Sequence, residues 1–425
     1  MLKVYFVLIF LKVCLYIVYT IKKMKVSATL KIQEIVKKRK EQGLPVYNFG
    51  LGANPLPISS EYLREINKYT DNKNYVSACG VNNFQKVIKK KYSNDNYKIK
   101  NVLTGNGLKE LLFVVQMAFD GIIIHITPSW LSYKEQVNIL NKMDDLVEIE
   151  TRLENNYKID VSKLEETLSN LPDRPKLLIF NNPNNPTGVV HTKGEVEALA
   201  KVLDKHQVIV MADEIYDELA YVSTDSISMY IPHLTIRGSS VSKNLGCGGY
   251  RLGWLTFPTE LTEFFGKCHS IASSLYSCTT APIQYATAEL FSRQDIMTRI
   301  LINTKVLFKV VIRDICELLE NSECRDKIRY VYPEAAWYLF LNFDKYKDKL
   351  ADHNINTSVQ LQEYLLETFG IATVAGEKFN VNGLNLRFSL VDISGFNYAT
   401  NPHGDIAIKM KEAFRLLIHF FENCN

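Results

Sequence analysis

Paired cysteines are missing from this sequence. Its eight cysteines, Cys14, Cys79, Cys247, Cys268, Cys278, Cys316, Cys324 and Cys424, include no CxxC pair and no CxxC…HxxxH spacing. A structural metal site or a disulfide framework is therefore not expected, and a reducing compartment is the default. An excess of one charge is also missing. Fifty lysines and arginines face 46 acidic residues, for a net charge of +4, and the lysines are scattered rather than gathered along a stripe that could follow a nucleic-acid backbone. Nucleic acid is not an expected partner. No internal repeat or low-complexity linker interrupts the chain, so its domains should be interleaved rather than strung on a tether.

What is present is a globular composition, 47% hydrophobic and 23% charged over 425 residues, enough for one large domain and one small. The anomaly is the opening stretch MLKVYFVLIFLKVCLYIVYTI. It is long enough to span a bilayer, but Lys12 at its middle costs about 2.5 to 3.5 kcal/mol on insertion. No small-x-small cleavage site follows before IKKMKVSATL. Residues 1–23 read as a leader upstream of a cytoplasmic protein whose ordinary chain begins at Met24, with a marginal signal-anchor and a poor signal peptide as alternatives. Membrane attachment is expected only if residues 2–21 act as an anchor.

Apolar runs alternate with helical stretches through the middle of the chain, which predicts βαβ units and a mostly parallel sheet. GIIIHI (121–126), KLLIF (176–180) and VIVMA (208–212) read as buried strands, followed at once by TPSW, NNPNNPTG and DEIY. Ligands bind beyond the carboxyl ends of such strands, so these three ends predict one pocket. After about Ser292 a long helical stretch leads to IRYVYPEAAWYLFLNF and then GLNLRFSLVD, which suggests a second, smaller α+β layer. The expected division is a small domain from residues 24–72 and 300–425 and a large domain from 73–299.

Seven motifs occur in order: YVSACG (75–80), TGNGLKEL (104–111), PSW (128–130), NNPNNPTG (181–188), DEIY (213–216), SVSKNLGCGGYRLGW (240–254) and NLRFSL (385–390). Together they resemble the class I/II aminotransferases, a family of fold-type-I enzymes that use pyridoxal 5'-phosphate. The resemblance covers nearly the whole chain from about Met24 onward. It implies an α/β fold with a large cofactor-binding domain and a homodimer with shared active sites.

The resemblance also implies roles. Lys243 resembles the lysine that forms the Schiff base with the cofactor aldehyde. That amine must be neutral near pH 7, which calls for a partly desolvated site of positive potential. Asp213 resembles the carboxylate that pairs with the pyridine nitrogen and keeps the ring an electron sink. Tyr216 resembles the phenol that hydrogen-bonds the ring oxygen, and Asn185, in a run that also makes a tight turn, resembles the amide sharing it. For the phosphate, Gly107 and Leu108 would offer helix-terminal amides, Ser240 a hydroxyl and Arg251 a charge-assisted contact. Trp130 resembles the aromatic residue that stacks on the ring, with Tyr133 as another candidate for the pocket wall.

Tyr75 resembles the tyrosine that reaches the phosphate of the neighbouring subunit. The arginine usual after the GxxxL part of that motif is Gln85 here, and the usual leucine is Phe84. Arg387 resembles the arginine that forks onto the substrate α-carboxylate. Gly52, in GLGANPLP, would let the backbone close over the amino acid, although Asn54 departs from the acidic residue common there.

The implied reaction is ping-pong transamination, with freed Lys243 shuttling a proton between the substrate α-carbon and the cofactor. The same motifs would serve a C–S lyase, a decarboxylase or a cyclising synthase, and a non-catalytic membrane-tethered relative is the alternative from another class. Enzymes for dicarboxylates often present a second arginine after the Lys/Arg motif, yet none lies between Arg251 and Arg293. Aspartate by that route is disfavoured, and the expectation is an aromatic or aliphatic amino acid with 2-oxoglutarate as acceptor.

Overall fold

The structure is a computed structural model that describes residues 28–393 and 405–424. Residues 1–27, and with them the leader, lie outside the described residues. Among those described, no helix is long and apolar enough to cross a membrane.

The strands, in chain order, are β1 (Tyr47–Asn48), β2 (Asn101–Gly105), β3 (Ile122–Thr127), β4 (Leu146–Glu150), β5 (Lys176–Asn181), β6 (Ile209–Asp213), β7 (Thr235–Ser240), β8 (Gly253–Phe257), β9 (Tyr338–Asn342), β10 (Ile371–Ala372), β11 (Val374–Ala375) and β12 (Asn385–Ser389). Seven form one sheet in the order β2-β8-β7-β6-β5-β3-β4. Only β8 runs against the rest, pairing antiparallel with β2 and β7. The three runs expected to be buried strands are β3, β5 and β6. They are apolar on both sides because helices cover both faces of the sheet. Alternate residues divide accordingly: Ile123, Leu177 and Ile179 pack with Leu111 and Val115 on one face, while Ile124, Leu178 and Phe180 pack with Leu164 and Leu199 on the other.

Register, more than any single contact, assembles the sheet's carboxyl edge. Asn181 at the end of β5 lies opposite Asp213 at the end of β6, and Asp213 lies opposite Gly238 of β7. Ser240 closes β7 level with Gly253, which opens β8, and Gly253 is level with Gly105 at the end of β2. The antiparallel β8 therefore brings the segment before it, with Arg251, back to the edge where the parallel strands end.

A second core joins both ends of the described chain. Tyr47 and Phe49 pack with Val311, Ile312 and Ile315 of the helix Gln294–Glu320, with β9 and β12, and with the helix Ile408–Glu422. The Phe49 ring lies 5.4 Å from Phe388 and 5.8 Å from Phe414. β12 is the centre of a three-stranded antiparallel sheet between β11 and β9, and Arg387 faces Val374 and Phe340 across its two borders. Tyr62, in the helix Ser60–Lys68, packs instead with Phe84, Trp254 and Met297, and its hydroxyl meets the Thr287 hydroxyl at 2.7 Å. We propose a large domain and a small domain built from both ends of the chain, with the helix Ser60–Lys68 assigned to the large domain in place of a boundary at residue 72.

Phe414 is fully buried and touches both chain ends of this second core. Phe414→Ala should destabilise the protein by about 3 to 5 kcal/mol, measured as a lower urea midpoint in circular dichroism.

Candidate active site

The carboxyl edge of the large sheet opens into a cavity of about 530 Å3. Ten of the twelve residues singled out from the sequence line it; Gly107 and Tyr75 do not.

At the floor stands Asp213, 3% exposed. One of its oxygens accepts the Tyr133 hydroxyl at 2.5 Å and the other the Ile215 amide at 3.2 Å. Burial pushes its carboxyl up to about 6, against the lowering effect of those two hydrogen bonds. Tyr133, itself pushed up by burial and by the neighbouring Asp213 charge, thus lines the cavity and holds the carboxylate as well. The Asn181 side chain donates to the Asp213 carbonyl at 2.9 Å and accepts the Asn185 amide at 2.9 Å, which ties the NNPNNPTG turn to β6 and turns Asn185 inward. Trp130 meets Tyr133 edge to face, with ring centres 5.5 Å apart, and leaves its indole on the cavity wall.

One end of the cavity collects donors and positive charge. Gly107 caps the helix Leu108–Ala118 with φ 84°, a conformation suited to glycine. It is not among the lining residues, whereas Leu108, buried from bulk solvent, lines the cavity. A Cβ on Gly253 would lie 2.5 Å from the Leu108 nitrogen and 2.6 Å from the Gly107 carbonyl carbon, so only a glycine in β8 lets this helix start come so close to the sheet. Ser240 is buried at the end of β7, its Oγ accepting the Ser242 amide at 3.2 Å. Arg251 adopts a left-handed φ of 52° and donates to the carbonyls of Gly248, at 2.6 Å, and of Asn106. Two further residues here, Lys109 and Ser242, were not foreseen. Lys109 Nζ lies 4.8 Å over the Trp130 ring; partial burial lowers its pKa, and Arg251 and Lys243 add to that against Glu135.

Lys243 rises from a four-residue helix, Val241–Asn244, that is pinned on both sides. Asn54 donates to the Lys243 carbonyl at 3.2 Å, and Asn244 donates to Glu218 at 2.7 Å. The ammonium donates to the Gly52 carbonyl of the GLGANPLP loop. Arg387 enters from β12. Its Nη1 donates to Asn185 Oδ1 at 3.2 Å and its Nη2 to the Gly50 carbonyl at 2.8 Å. Its Nε is buried without a partner among the described residues.

The Tyr216 hydroxyl meets the Tyr338 hydroxyl at 2.7 Å. Tyr338 was not foreseen either: in AAWYLFLNF it reads as one more aromatic of a buried strand. Tyr75 is 90% exposed, away from the cavity of its own chain.

A buried carboxylate, an amine, a nest of phosphate-type donors and a buried arginine thus share one cavity. The family model for aminotransferase class I and II matches residues 45–400. The chain is 29% identical to an asparagine–oxo-acid transaminase of Streptococcus mutans, over 94% of this chain and 97% of that one. It is 26% identical to a probable aspartate/prephenate aminotransferase of Aquifex aeolicus, over 86% and 92%. Among solved structures, it superposes on the aspartate aminotransferase from Thermus thermophilus with maleate with a TM-score of 0.79, at 22% identity and 93% and 97% coverage. A Thermotoga maritima aspartate aminotransferase gives a TM-score of 0.78 at 23% identity, with 94% and 98% covered. Motif order, sheet topology and the family match agree, and the chain belongs to the class I and II aminotransferases.

Proposed function

We propose that the protein is a pyridoxal 5'-phosphate-dependent aminotransferase that moves an amino group from an L-amino acid to a 2-oxo acid, with Lys243 as the reacting amine. The observation that carries this reading is the convergence of Lys243, Asp213 and Arg387 on a single cavity. The donor set fits the cofactor. The Leu108 helix start, Ser240 and Arg251 suit a phosphate, Asp213 suits a protonated ring nitrogen, and the Trp130 indole suits the flat face of a ring. The unpartnered Arg387 Nε suits a substrate carboxylate.

When bound, pyridoxal 5'-phosphate supplies the carbonyl carbon for an incoming amine and a ring that accepts the electron pair released at the substrate α-carbon. The chain's own residues do the rest. Arg387 and Asn185 orient the carboxylate. Asp213 would keep a proton on the ring nitrogen, and the Tyr216 oxygen, its proton turned to Tyr338, would stand beside the ring oxygen. Lys243 Nζ takes the α-proton and returns it to the neighbouring carbon, held over the reacting atoms by Gly52 and the pinned helix. Tyr75, exposed and remote from its own cavity, supports a homodimer in which each copy contributes to the other's phosphate site. The relatives' names make aspartate and asparagine the first donors to assay, beside the aromatic and aliphatic ones favoured by the absence of a second arginine.

The decisive experiment is a spectrum. The purified protein with pyridoxal 5'-phosphate should show the visible absorption of lysine-bound cofactor and lose it in Lys243→Ala, with turnover falling about 1,000-fold or more. Oxo acid should form only when an acceptor is present; ammonia or pyruvate released without one would mean elimination instead. Arg387→Ala should raise KM for the amino acid about 10- to 100-fold, the loss of a charge-assisted pair, with the cofactor dissociation constant unchanged. Asp213 supports the ring nitrogen only while ionised, so cofactor affinity should fall as pH drops through the region near 6. Tyr133→Phe removes a hydrogen bond that lowers that carboxyl, so this acid limb should move to higher pH, as read by cofactor titration of the apoenzyme.

A further inference from the structure

Tyr338 opens β9, is 1% exposed and contributes its hydroxyl to the cavity wall. Three functional groups stand around that side chain. Tyr216 lies 2.7 Å away. The Arg387 guanidinium sits 4.9 Å over the Tyr338 ring. The third group is Lys243: its ammonium donates to the Gly52 carbonyl, and a Cβ on Gly52 would overlap the Tyr338 hydroxyl and come within 2.7 Å of its ring. Glycine at position 52 is therefore what allows ammonium and phenol to be neighbours. Among the described residues Tyr338 Oη has no carboxylate partner, and the charges facing it, Lys243 and Arg387, are both positive. Behind Tyr216 stands Asp213, and behind Asp213 stands Tyr133.

We propose that Tyr338 is a positioning residue that sets the proton affinity of Lys243 Nζ, its phenol oxygen sharing one proton with the lysine nitrogen while Tyr216 donates to it. The inference rests on the reading of Lys243 as the reacting amine. The exchange is balanced: a proton leaves Nζ as an O–H bond forms on Tyr338, the amine becomes neutral, and no proton passes to solvent. The reverse step restores the ammonium and a phenolate between two cations. The direction of acidity agrees. Burial alone would push the Tyr338 phenol up, but Lys243, Arg387 and the Tyr216 hydrogen bond together bring it below its ordinary value. Tyr216 is pushed up by burial and by Tyr338, and so keeps its proton to donate. The Tyr338 ring lies edge-on to Tyr216, at 90°, so a phenylalanine would keep the packing and lose only the oxygen.

The test uses the full chain loaded with pyridoxal 5'-phosphate and the pH midpoint of its visible absorption. Tyr338→Phe removes an acceptor that stabilises a protonated Lys243 nitrogen, so the midpoint should fall by about one unit, a tenfold loss of proton affinity. Turnover should drop about tenfold or more while KM for the amino acid changes less than about threefold, because the ring beneath Arg387 remains. Combined with Tyr216→Phe, the effect of Tyr338→Phe should shrink, since the two hydroxyls act as one unit. An unmoved midpoint, or additive effects in the double variant, would overturn the role of Tyr338. Should Tyr338→Phe fail to fold, a fluorotyrosine at 338 keeps the shape and changes only the phenol's acidity, and its midpoint must move or the proposal fails. A wild-type protein with no visible band, or a Lys243→Ala protein that keeps one, would overturn the cofactor reading itself.

Discussion

The ionised carboxylate of Asp213, held at the end of a fully covered strand, is the constraint around which the rest of the site is built. A carboxyl raised from 3.8 to about 6 by burial binds its proton more tightly in the folded than in the unfolded protein. Stability is therefore lost as pH rises from about 4 to about 6, and the full cost, about 3 kcal/mol, is present above that window. The Tyr133 hydroxyl and the Ile215 amide keep the cost from being larger. The sheet spends stability to hold an anion where water cannot reach it. In the proposed function a carboxylate poor in solvation would hold a protonated ring nitrogen more firmly than a hydrated one.

Everything that must face Asp213 is brought to it by strand register. Asn181 is level with it on one side and Gly238 on the other, and a slip of one residue would turn each side chain to the opposite face. The large number of apolar β-branched and leucine residues in β3, β5 and β6 is thus part of the active site, because those residues fix which positions end the strands. The small helix that carries Lys243 is too short to be stable alone. It persists because Ser240 caps it, Asn54 holds its carbonyl side and Glu218 holds Asn244.

Much of this was legible in the sequence, for identifiable reasons. β3, β5 and β6 declared themselves as apolar runs cut off by polar turns, and Asp213, Asn185, Lys243 and Arg251 stood in motifs whose residue types and spacing are unusual. Tyr338 and Lys109 were hidden because their neighbours in sequence carry no such mark. Tyr338 sits in a strand where an aromatic is normal core, and Lys109 is one lysine among many on helices. Their functional placement arises only when β9 is laid beside β12 and the Leu108 helix is docked on β8. The proposed reassignment of the boundary at residue 72 has a similar basis. The amphipathic helix Ser60–Lys68 has an apolar face that suits either domain, and only the docking of Tyr62 against Thr287 decides between them.

Arg387 shows how the two domains become one site. It belongs to β12 of the three-stranded sheet, yet its guanidinium donates to Asn185, which follows β5 of the seven-stranded sheet, and to the Gly50 carbonyl of the loop beside Lys243. A buried guanidinium nitrogen left without a partner costs about 1 to 3 kcal/mol, and Arg387 Nε is in that position. Burial also lowers the guanidinium's hold on its proton. In the proposed reading a carboxylate arriving at Arg387 would offset both penalties, with Asn185 holding the guanidinium in place. If Arg387 binds the substrate's α-carboxylate as proposed, that binding and the contact between β12 and Asn185 would be linked. A contact that tightens one must tighten the other.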